Sequence, residues 1–467
     1  MVPLPQQAHD VITTLKQAGF EAYAVGGSVR DILMDRPTKG WDFTTDATPQ
    51  QILALFPSSF YDNQFGTVGI KIYDTPDAQE RNQPTDIYEI TPYRSEKGYK
   101  DHRHPDTISW GKTLPEDLSR RDFTINAIAY DGTKIIDPYE GQKNIAQKTI
   151  RAVGNPPDRF KEDALRMLRA VRIAAELGFT IEDETLRAIG KNAHLLRDIS
   201  AERIRDELMR LLSSSFASDA LLVMKNAGLL GFILPELDGS FSVQQKSPKR
   251  HHVYDVGTHL LMSLKHTPST DPVVRLAALL HDIGKPKTQK LNADGVITFF
   301  NHEVVGTKMT KDIARRLRLS NKQTERLVTL VRWHQFSVDE RQTDSALRRF
   351  IRRVGKENLS DILALRIGDR LGGGAKETSW RLELYKKRLE EVQRQPFSVS
   401  DLAVDGHDVM KTFRCKPGPL VGNALGTLFD EVEEGKLKNE RTVLLSRLET
   451  LRTAGLTSSS VPTDAKE

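Results

Sequence analysis

Hydrophobic residues in the first 150 positions of the chain follow a helical period and a strand period in turn. QAHDVITTLKQAG and TPQQILALF space their apolar residues as amphipathic helices, and the second helix begins with Thr48 as its N-cap and Pro49 at its first position. The pattern of β-strands is found in four segments: residues 22–26, residues 41–45, FGTVGIKIY and TDIYEITPY. This alternation predicts an α/β domain.

The pattern changes to almost continuous helix after about residue 155, with EDALRMLRAVRIAAELG and AERIRDELMRLL as the clearest amphipathic segments. LPEDLSRRDFTINAIAY, residues 114–130, is also predicted to be helical. Residues 93–112 are polar and have no period, so they predict a long loop with a functional role. Residues 456–467 are expected to be disordered.

Composition limits the class of protein. The chain has 467 residues, 38% hydrophobic and 28% charged, which favours three or four soluble domains. No apolar run reaches the roughly 18 residues of a membrane span, and the N-terminus lacks a signal-peptide pattern. Cys415 is the one cysteine, so the chain cannot form an internal disulfide, and the sequence predicts a protein of the reducing cytoplasm. The net charge is +5, and many of the basic residues lie within 311–356, either as a solvated helix face or as a surface for RNA.

The segment AYAVGGSVRDILM, residues 22–34, combines a strand, a pair of glycines and a helix start. Glycine lets the backbone approach a ligand closely, and the free N–H groups of a helix start favour phosphate. Asp42, on the following strand, can hold a magnesium ion. The segment predicts a nucleoside triphosphate site whose phosphate-binding residues are Gly26, Gly27, Ser28 and Arg30.

GGSVRD followed by WDFTT resembles the signature of class II tRNA nucleotidyltransferases, the CCA-adding enzymes and bacterial poly(A) polymerases of the DNA polymerase β superfamily. The resemblance implies two aspartates, two positions apart, that hold Mg²⁺ for attack on an α-phosphate. Aligned through ATP at 47–49, these positions hold Gly40 and Asp42, so the first carboxylate is missing. Glu89, in YEITPYR, matches a third acidic residue of the family.

Two later segments extend the resemblance. RRDFTINA is expected to contact the triphosphate and the ribose through Arg120, Arg121, Asp122 and Asn126, with Asn126 on the same helical face as Asp122. RFKEDALRMLR carries the family's EDxxR motif as Glu162, Asp163 and Arg166. The motif implies that Asp163 and Arg166, on one face of a helix, select the incoming base by imitating a Watson–Crick edge. Arg169 is expected to help orient or stack the nucleotide.

The second half of the chain contains an ordered set of histidines and aspartates. A single histidine in an apolar helix is usually a core residue, but the order found here resembles the metal frame of HD-domain phosphohydrolases. The resemblance implies a site for a divalent transition metal such as Mn²⁺ or Ni²⁺, with His281 and Asp282 as catalytic residues and Lys285 as a phosphate contact. The implied ligands are His259, His281, Asp282, His302, His334 and Asp369.

The resemblance covers about residues 20–450 and implies an α/β nucleotidyltransferase head followed by an all-helical body with an HD domain and a helical tail. The expected divisions are a head (1–150), a neck and body for base selection and RNA binding (151–245), an HD domain (246–375), a tRNA-binding segment (376–455) and the tail (456–467).

The implied function is addition of CCA to the tRNA 3′ end from CTP and ATP, with hydrolysis of phosphate esters such as 2′,3′-cyclic phosphates by the HD domain. Three alternatives stay open. In the first, the chain is an enzyme of the same family that adds only A, only CC or a poly(A) tail. In the second, it is an HD phosphohydrolase whose head, with Gly40, only holds RNA, and in the third it binds tRNA without catalysis. The expected partners are tRNA, CTP and ATP, and no membrane; the sequence does not determine the oligomeric state.

Overall fold

A seven-stranded sheet forms the first part of the fold. The computed structural model describes residues 4–38, 40–61, 66–75, 77, 81–99, 105–110, 113–245, 254–293, 295–375, 379–393 and 399–454. The strands of the sheet span β1 Ala22–Val25, β2 Asp42–Thr45, β3 Ser59–Tyr61, β4 Val68–Ile72, β5 Asp86–Pro92, β8 Ala129–Tyr130 and β9 Ile135–Ile136. They lie in the order β3-β4-β5-β2-β1-β8-β9, and β2 and β5 are parallel while the other pairs are antiparallel.

Three helices accompany the strands of the head, as the periodicity predicts. The helix Gln6–Gln17 buries Ala8, Val11, Ile12 and Leu15, the i, i+3, i+4, i+7 stripe of its sequence. The other two helices are Gly27–Leu33 and Pro49–Leu55. Thr48 caps the last of these by accepting a hydrogen bond from the backbone N–H of Gln51, so the predicted start is confirmed.

The prediction of a loop over residues 93–112 is wrong for its described part. Two strands, β6 Arg94–Tyr99 and β7 Pro105–Trp110, pair as an antiparallel ribbon outside the main sheet. RSEKGY and PDTISW have no regular alternation of apolar and polar residues, so periodicity could not reveal this ribbon. Residues 100–104 and 111–112 lie outside the described part of the chain.

Helices account for most of the structure after residue 150. Short strands interrupt them as β10 Thr149–Ile150 with β11 Thr180–Ile181, and β12 Lys290–Leu291 with β13 Ile297–Thr298. The helices from the end of the head onward are Leu114–Ser119, Gly141–Ala146, Pro156–Glu162, Leu165–Leu177, Asp183–Asn192, Ala201–Ser213, Ala217–Asn226, Leu230–Ile233, Pro235–Asp238, Val256–His266, Pro272–Leu280, Lys285–Thr288, His302–Arg316, Asn321–Trp333, Asp344–Val354, Leu359–Gly372, Trp380–Val392, Gly406–Phe413, Pro419–Glu433 and Arg441–Thr453.

Hydrophobic clusters show how these elements are grouped. The head has its own core between the sheet and its helices, centred on Trp41, Phe43 and Ile90. One long cluster runs through the helical part from Phe123 to Val392, and a separate small cluster holds the helices after residue 402. The predicted border at residue 245 therefore lies within one continuous core, and the division at 245 stays a prediction. The predicted disordered tail, 456–467, lies outside the described residues.

Candidate active sites

Two carboxylates lie side by side on the sheet of the head. In the parallel pair β2–β5, Asp42 is directly opposite Glu89, and the Glu89 backbone N–H donates to the carbonyl of Trp41 at 2.8 Å. Residues opposite each other in register point to the same face of a sheet, so Asp42 and Glu89 project together. Burial raises the pKa of the Asp42 carboxyl group, and the nearby charges of Arg121 and Arg169 oppose that rise.

The neighbouring position has no side chain to add to this pair. Gly40 precedes β2 in left-handed backbone with φ +67°, and its N–H donates to Asp86 Oδ2 at 3.0 Å. No atom of the described structure lies within 4 Å of a Cβ built there. Carboxylate oxygens are the ligands that Mg²⁺ prefers, and the ion commonly takes one or two of them with water and phosphate as the rest. Asp42 and Glu89 therefore fit magnesium as a two-carboxylate site.

The glycine pair brings a helix start against Asp42. Gly26 has φ +81°, and a Cβ there would lie 3.1 Å from Asp42 Oδ2 and 3.5 Å from the Arg121 guanidinium. Only glycine combines this backbone conformation with so close an approach. The adjacent Gly27 begins the helix, and Ser28 is buried there with its hydroxyl donating to the Val25 carbonyl at 3.1 Å. The serine hydroxyl proton is thus used within the turn.

Arg30 points into the protein. Its Nη1 donates to Asn126 Oδ1 at 2.8 Å, and its Nε and Nη2 contact Asp31 at 2.9 and 2.8 Å. The side chain is almost completely buried. Arg30 therefore links the glycine turn to the segment around residue 126, and its predicted contact with phosphate stays a prediction.

The prediction that RRDFTINA is helical is wrong. The helix Leu114–Ser119 ends before the motif, Phe123 forms a β-bridge with Ala152, and a 3₁₀ turn spans Thr124–Asn126. Phe123 and Ile125 are fully buried, and Thr124 and Asn126 are buried as well, so this segment has no solvent-exposed helical face. Asn126 still reaches the Asp122 carboxylate, at 3.1 Å, but through the turn.

A buried carboxylate that the sequence analysis missed fixes the two arginines of this motif. Asp117 has no exposed surface, and its Oδ1 accepts from Arg120 at 2.6 Å while its Oδ2 accepts from Arg121 at 3.0 Å. Burial alone would raise the pKa of Asp117, but the two guanidinium groups lower it. The i, i+3 and i, i+4 spacing of the three residues was the available sequence signal.

The Asp122 carboxylate is fully engaged by the protein. Its Oδ1 accepts from the Phe123 backbone N–H at 2.8 Å and from Asn126, and its Oδ2 accepts from Arg169 at 2.8 and 2.7 Å. Burial by itself would raise the pKa of Asp122, but the charge of Arg169 and the hydrogen bonds lower it to about 2. These four contacts orient Arg169, and the expected contact of Asp122 with a ribose hydroxyl stays a prediction.

Asp163 and Arg166 do not share a helical face, contrary to the prediction. The helix Pro156–Glu162 ends one residue earlier, and Asp163 is extended with φ −143° and accepts from the Leu165 N–H at 3.0 Å. This side-chain contact at the start of the next helix explains the break.

The two residues of this motif have different partners. Asp163 Oδ2 accepts from Arg203 at 2.7 Å, and Arg203 is a contact that the sequence analysis missed. Arg166 donates to Glu162 at 2.6 Å and to the Arg120 carbonyl at 2.9 Å. The expected residues are therefore brought to one region, where Arg166 joins the EDxxR segment to the arginines that Asp117 holds.

A second site lies in the helical part, where the structure brings all six expected metal ligands together. Three of the four histidines use Nδ1 to donate to a backbone carbonyl three residues earlier, because a carbonyl can only accept. Their Nε2 atoms then carry the lone pairs that face the cluster, which is the tautomer of a metal ligand. The carbonyls belong to Ala278, Phe299 and Val331, at 2.8, 2.8 and 2.7 Å from His281, His302 and His334.

Asp282 lies at the centre of the six residues. Its Oδ2 is 3.4 Å from His259 Nε2 and 3.3 Å from His281 Nε2, and its Oδ1 is 3.0 Å from His302 Nε2 and 3.5 Å from His334 Nε2. Two groups of candidate ligands therefore share this one carboxylate. Imidazole nitrogen and carboxylate oxygen together suit borderline divalent metals, so the donor set fits one or two such ions.

The remaining ligand and the polar lining complete a cavity of about 480 Å³. Asp369 Oδ1 lies 3.3 Å from His259 Nε2, and Arg366 donates to its other oxygen at 3.0 Å. Lys285 donates to Asp282 at 2.5 Å and to Gln245 at 2.6 Å. Burial opposes ionisation of Asp282, but the Lys285 ammonium and the neighbouring imidazoles hold its pKa well below the ordinary value.

Comparison with known proteins agrees with both parts of the fold. Residues 22–151 match the family model of the poly A polymerase head domain, and residues 178–240 and 294–448 match models of an RNA- and SrmB-binding site of polymerase A and of tRNA nucleotidyltransferase domain 2. The crystal structure of the Bacillus stearothermophilus CCA-adding enzyme in complex with CTP has a TM-score of 0.69 and 29% identity, over 96% of this chain and 98% of that one. The fold and the head site define a nucleotidyltransferase with a polymerase-β-type head.

Curated relatives place the chain within that class. The CCA-adding enzyme of Anoxybacillus flavithermus is 31% identical over 440 residues, which cover 94% of this chain and 95% of the relative. The enzyme of Geobacillus thermodenitrificans is 43% identical over 236 residues, and this alignment spans about half of either protein, 50% of this chain and 55% of the relative. The chain belongs to the family of CCA-adding enzymes, the tRNA nucleotidyltransferases.

Proposed function

We propose that the chain adds cytidine and adenosine from CTP and ATP to the 3′ end of tRNA. The observation that carries this proposal is the pairing of Asp42 with Glu89 against the Gly26 turn, within a chain of this family. Relatives that cover nearly the whole chain are CCA-adding enzymes, and the solved relative at 29% identity is a complex with CTP.

The residues of the head have different chemical roles in this reaction. Asp42 and Glu89 would hold magnesium, which would supply charge neutralisation at the reacting phosphate and activation of the attacking 3′-hydroxyl. Arg120 and Arg121, held in place by Asp117, bind the triphosphate as guanidinium donors. The hydroxyl oxygen loses its proton to water and bonds to the α-phosphorus, while the bond from that phosphorus to the bridging oxygen breaks and pyrophosphate leaves.

Base selection is assigned to the segment that follows. Asp163 and Arg166 supply an acceptor and donors for base edges, and Arg203 fixes the Asp163 carboxylate. Arg169 is oriented by Asp122 toward the same site as Asp42, whose pKa its charge influences. A protein surface rather than a nucleic-acid template thus chooses the nucleotide.

Gly40 is the reason to test this proposal against other functions. With only two carboxylates, the head is expected to transfer nucleotides more slowly than a head with three. The competing functions are addition of A alone, addition of a poly(A) tail, and retention of RNA without transfer. A tRNA that ends before CCA, incubated with CTP, ATP or both, separates them by product length. Three additions with both nucleotides support the proposal, whereas addition from ATP alone or no addition contradicts it.

We also propose a metal-dependent phosphohydrolase activity for the second site, on phosphate esters such as 2′,3′-cyclic phosphates at RNA ends. Three histidines and two aspartates line one cavity, and His281 lies against Asp282 beside it, which supports the proposal. These residues would hold a divalent ion such as Mn²⁺ or Ni²⁺, which would supply a water of lowered pKa. Lys285 holds the central carboxylate and faces the cavity, where it can contact a phosphate oxygen. Release of phosphate monoester from a 2′,3′-cyclic end, dependent on added Mn²⁺, tests this activity.

The remaining assignments concern organisation and location. The separate core of the head supports the proposed division at residue 150. The small core after residue 402 sets that part of the chain apart, whereas Tyr385, Leu389 and Val392 pack in the core of the body, so the divisions at 245, 375 and 455 and the tRNA-binding role of residues 376–455 stay proposals. No described helix is long and apolar enough to cross a bilayer. The cytoplasm is the proposed location, where tRNA, CTP and ATP are available.

A further inference from the structure

One aromatic side chain at the metal-binding cavity has no role in the core. Among the described residues, Phe300 is the most exposed large hydrophobic side chain, with 76% of its surface accessible. It lines the cavity that contains His302 and Asp282. The ring of Phe300 is therefore exposed at the cavity and not packed in the core.

The backbone on both sides holds Phe300 in this outward position. The preceding Phe299 is buried, its ring lies 5.4 Å from Lys285 Nζ, and its carbonyl accepts from His302 Nδ1. The following Asn301 is in left-handed backbone with φ +60° and begins the helix that carries His302. Phe299 therefore takes the core position of the pair, and Phe300 is directed to the rim.

The lining of the cavity combines charged, polar and aromatic side chains. The candidate metal ligands with Lys285 suit a phosphate group. Asn301 and Gln335 add polar groups, and Phe300 adds an exposed ring. A phosphoester that also carries a planar aromatic group matches this lining, because aromatic side chains stack on the face of any base.

We propose that Phe300 forms a base-stacking subsite, so that the second site takes nucleotide phosphoesters in preference to phosphoesters without a base. This inference rests on the proposed phosphohydrolase function and names its substrate class. Stacking is tolerant of base identity, so the preference is for a base and not for one particular base.

Fluorescence measures the stacking without turnover. A Phe300→Trp variant, loaded with Mn²⁺, is titrated with adenosine 2′,3′-cyclic phosphate and with glycerol 1,2-cyclic phosphate, a cyclic diester without a base. Leu291→Trp is the matched control, because Leu291 is 70% exposed on β12 of the same hairpin. We expect the adenosine compound alone to quench the variant, beyond any change in the wild type or in Leu291→Trp. Equal quenching by both compounds, or in both variants, would overturn the subsite.

Kinetics separate this proposal from the activity on which it rests. Phe300→Ala should raise KM for adenosine 2′,3′-cyclic phosphate about tenfold and leave hydrolysis of the glycerol compound within about twofold, and Phe300→Trp should restore the KM. Equal losses on both substrates, or none, would contradict stacking. If the wild type hydrolyses neither compound while Phe300→Trp is still quenched by adenosine, the phosphohydrolase function is overturned and the subsite stands. Hydrolysis of both compounds without quenching would establish the phosphohydrolase function and overturn the subsite.

Discussion

Replacement of Gly40 by aspartate is the most direct test of the head site. The change restores a third carboxylate two residues before Asp42, and no described atom lies within 4 Å of a Cβ at this position. The new side chain therefore fits without a clash. A ligand that stabilises the transition state by about 3 kcal/mol corresponds to a rate increase of roughly 100-fold. We expect Gly40→Asp to add nucleotides at least that much faster.

The same substitution has a cost in stability that the structure also defines. Gly40 has φ +67°, where a residue with a Cβ is destabilised by roughly 1 kcal/mol, although aspartate tolerates this region better than most. The Gly40 N–H also donates to the Asp86 carboxylate, and the negative charge of Asp86 would repel a new carboxylate at position 40. The variant should therefore be slightly less stable and much more active.

The assay follows extension of a tRNA that ends before CCA, with CTP and ATP in Mg²⁺, under single-turnover conditions. Gly228→Asp is the matched control, because Gly228 has φ +72°, an open surrounding and a place far along the chain in the helical body. The control should lose similar stability and gain no activity. The reasoning is refuted if the wild type already completes CCA at a rate that Gly40→Asp does not improve.

The other predictions concern base choice, the second site and pH. Asp163→Ala and Arg166→Ala should raise misincorporation of UTP and GTP more than they raise KM for CTP; unchanged selectivity in both variants would contradict their role at the base edge. The double variant His281→Ala, Asp282→Ala should lose cyclic phosphodiesterase activity and keep nucleotide addition, with circular dichroism melting to confirm that it folds; a folded double variant that still hydrolyses the substrate would contradict the metal assignment. Because the pKa of Asp122 is lowered to about 2, its contribution of about 2 kcal/mol is present at neutral pH and lost as pH falls from about 4 to 2. Asp122→Asn should therefore be less stable than the wild type at pH 7, by denaturant unfolding, and the difference should shrink as pH falls through this window; a constant difference would show that the carboxylate charge is not responsible.

Local patterns of the sequence determined the elements whose residues interact with near neighbours. The helix after Thr48 and the strands around Asp42 and Glu89 follow from capping chemistry and alternation, and both are present as predicted. The six candidate ligands of the second site were predicted from the resemblance of their order to that of HD-domain phosphohydrolases, and the structure brings them together; their binding of a metal stays a prediction. Their meeting at one point, however, requires the packing of five separate segments.

Tertiary contacts decided what periodicity could not. RRDFTINA has helical spacing, but the bridge from Phe123 to Ala152 and the packing of Phe123 and Ile125 in the body core place it in a β-bridge followed by a 3₁₀ turn. The EDxxR segment breaks because Asp163 contacts the start of the next helix and Arg203, a residue 40 positions later. Asp117 holds Arg120 and Arg121 in place because it is buried away from solvent, where the two guanidinium groups are its hydrogen-bond donors. The sequence alone thus determined which chemical groups were available. The tertiary structure decided which of them are buried together, because a polar group that has lost its water on burial must be paired with another group of the protein.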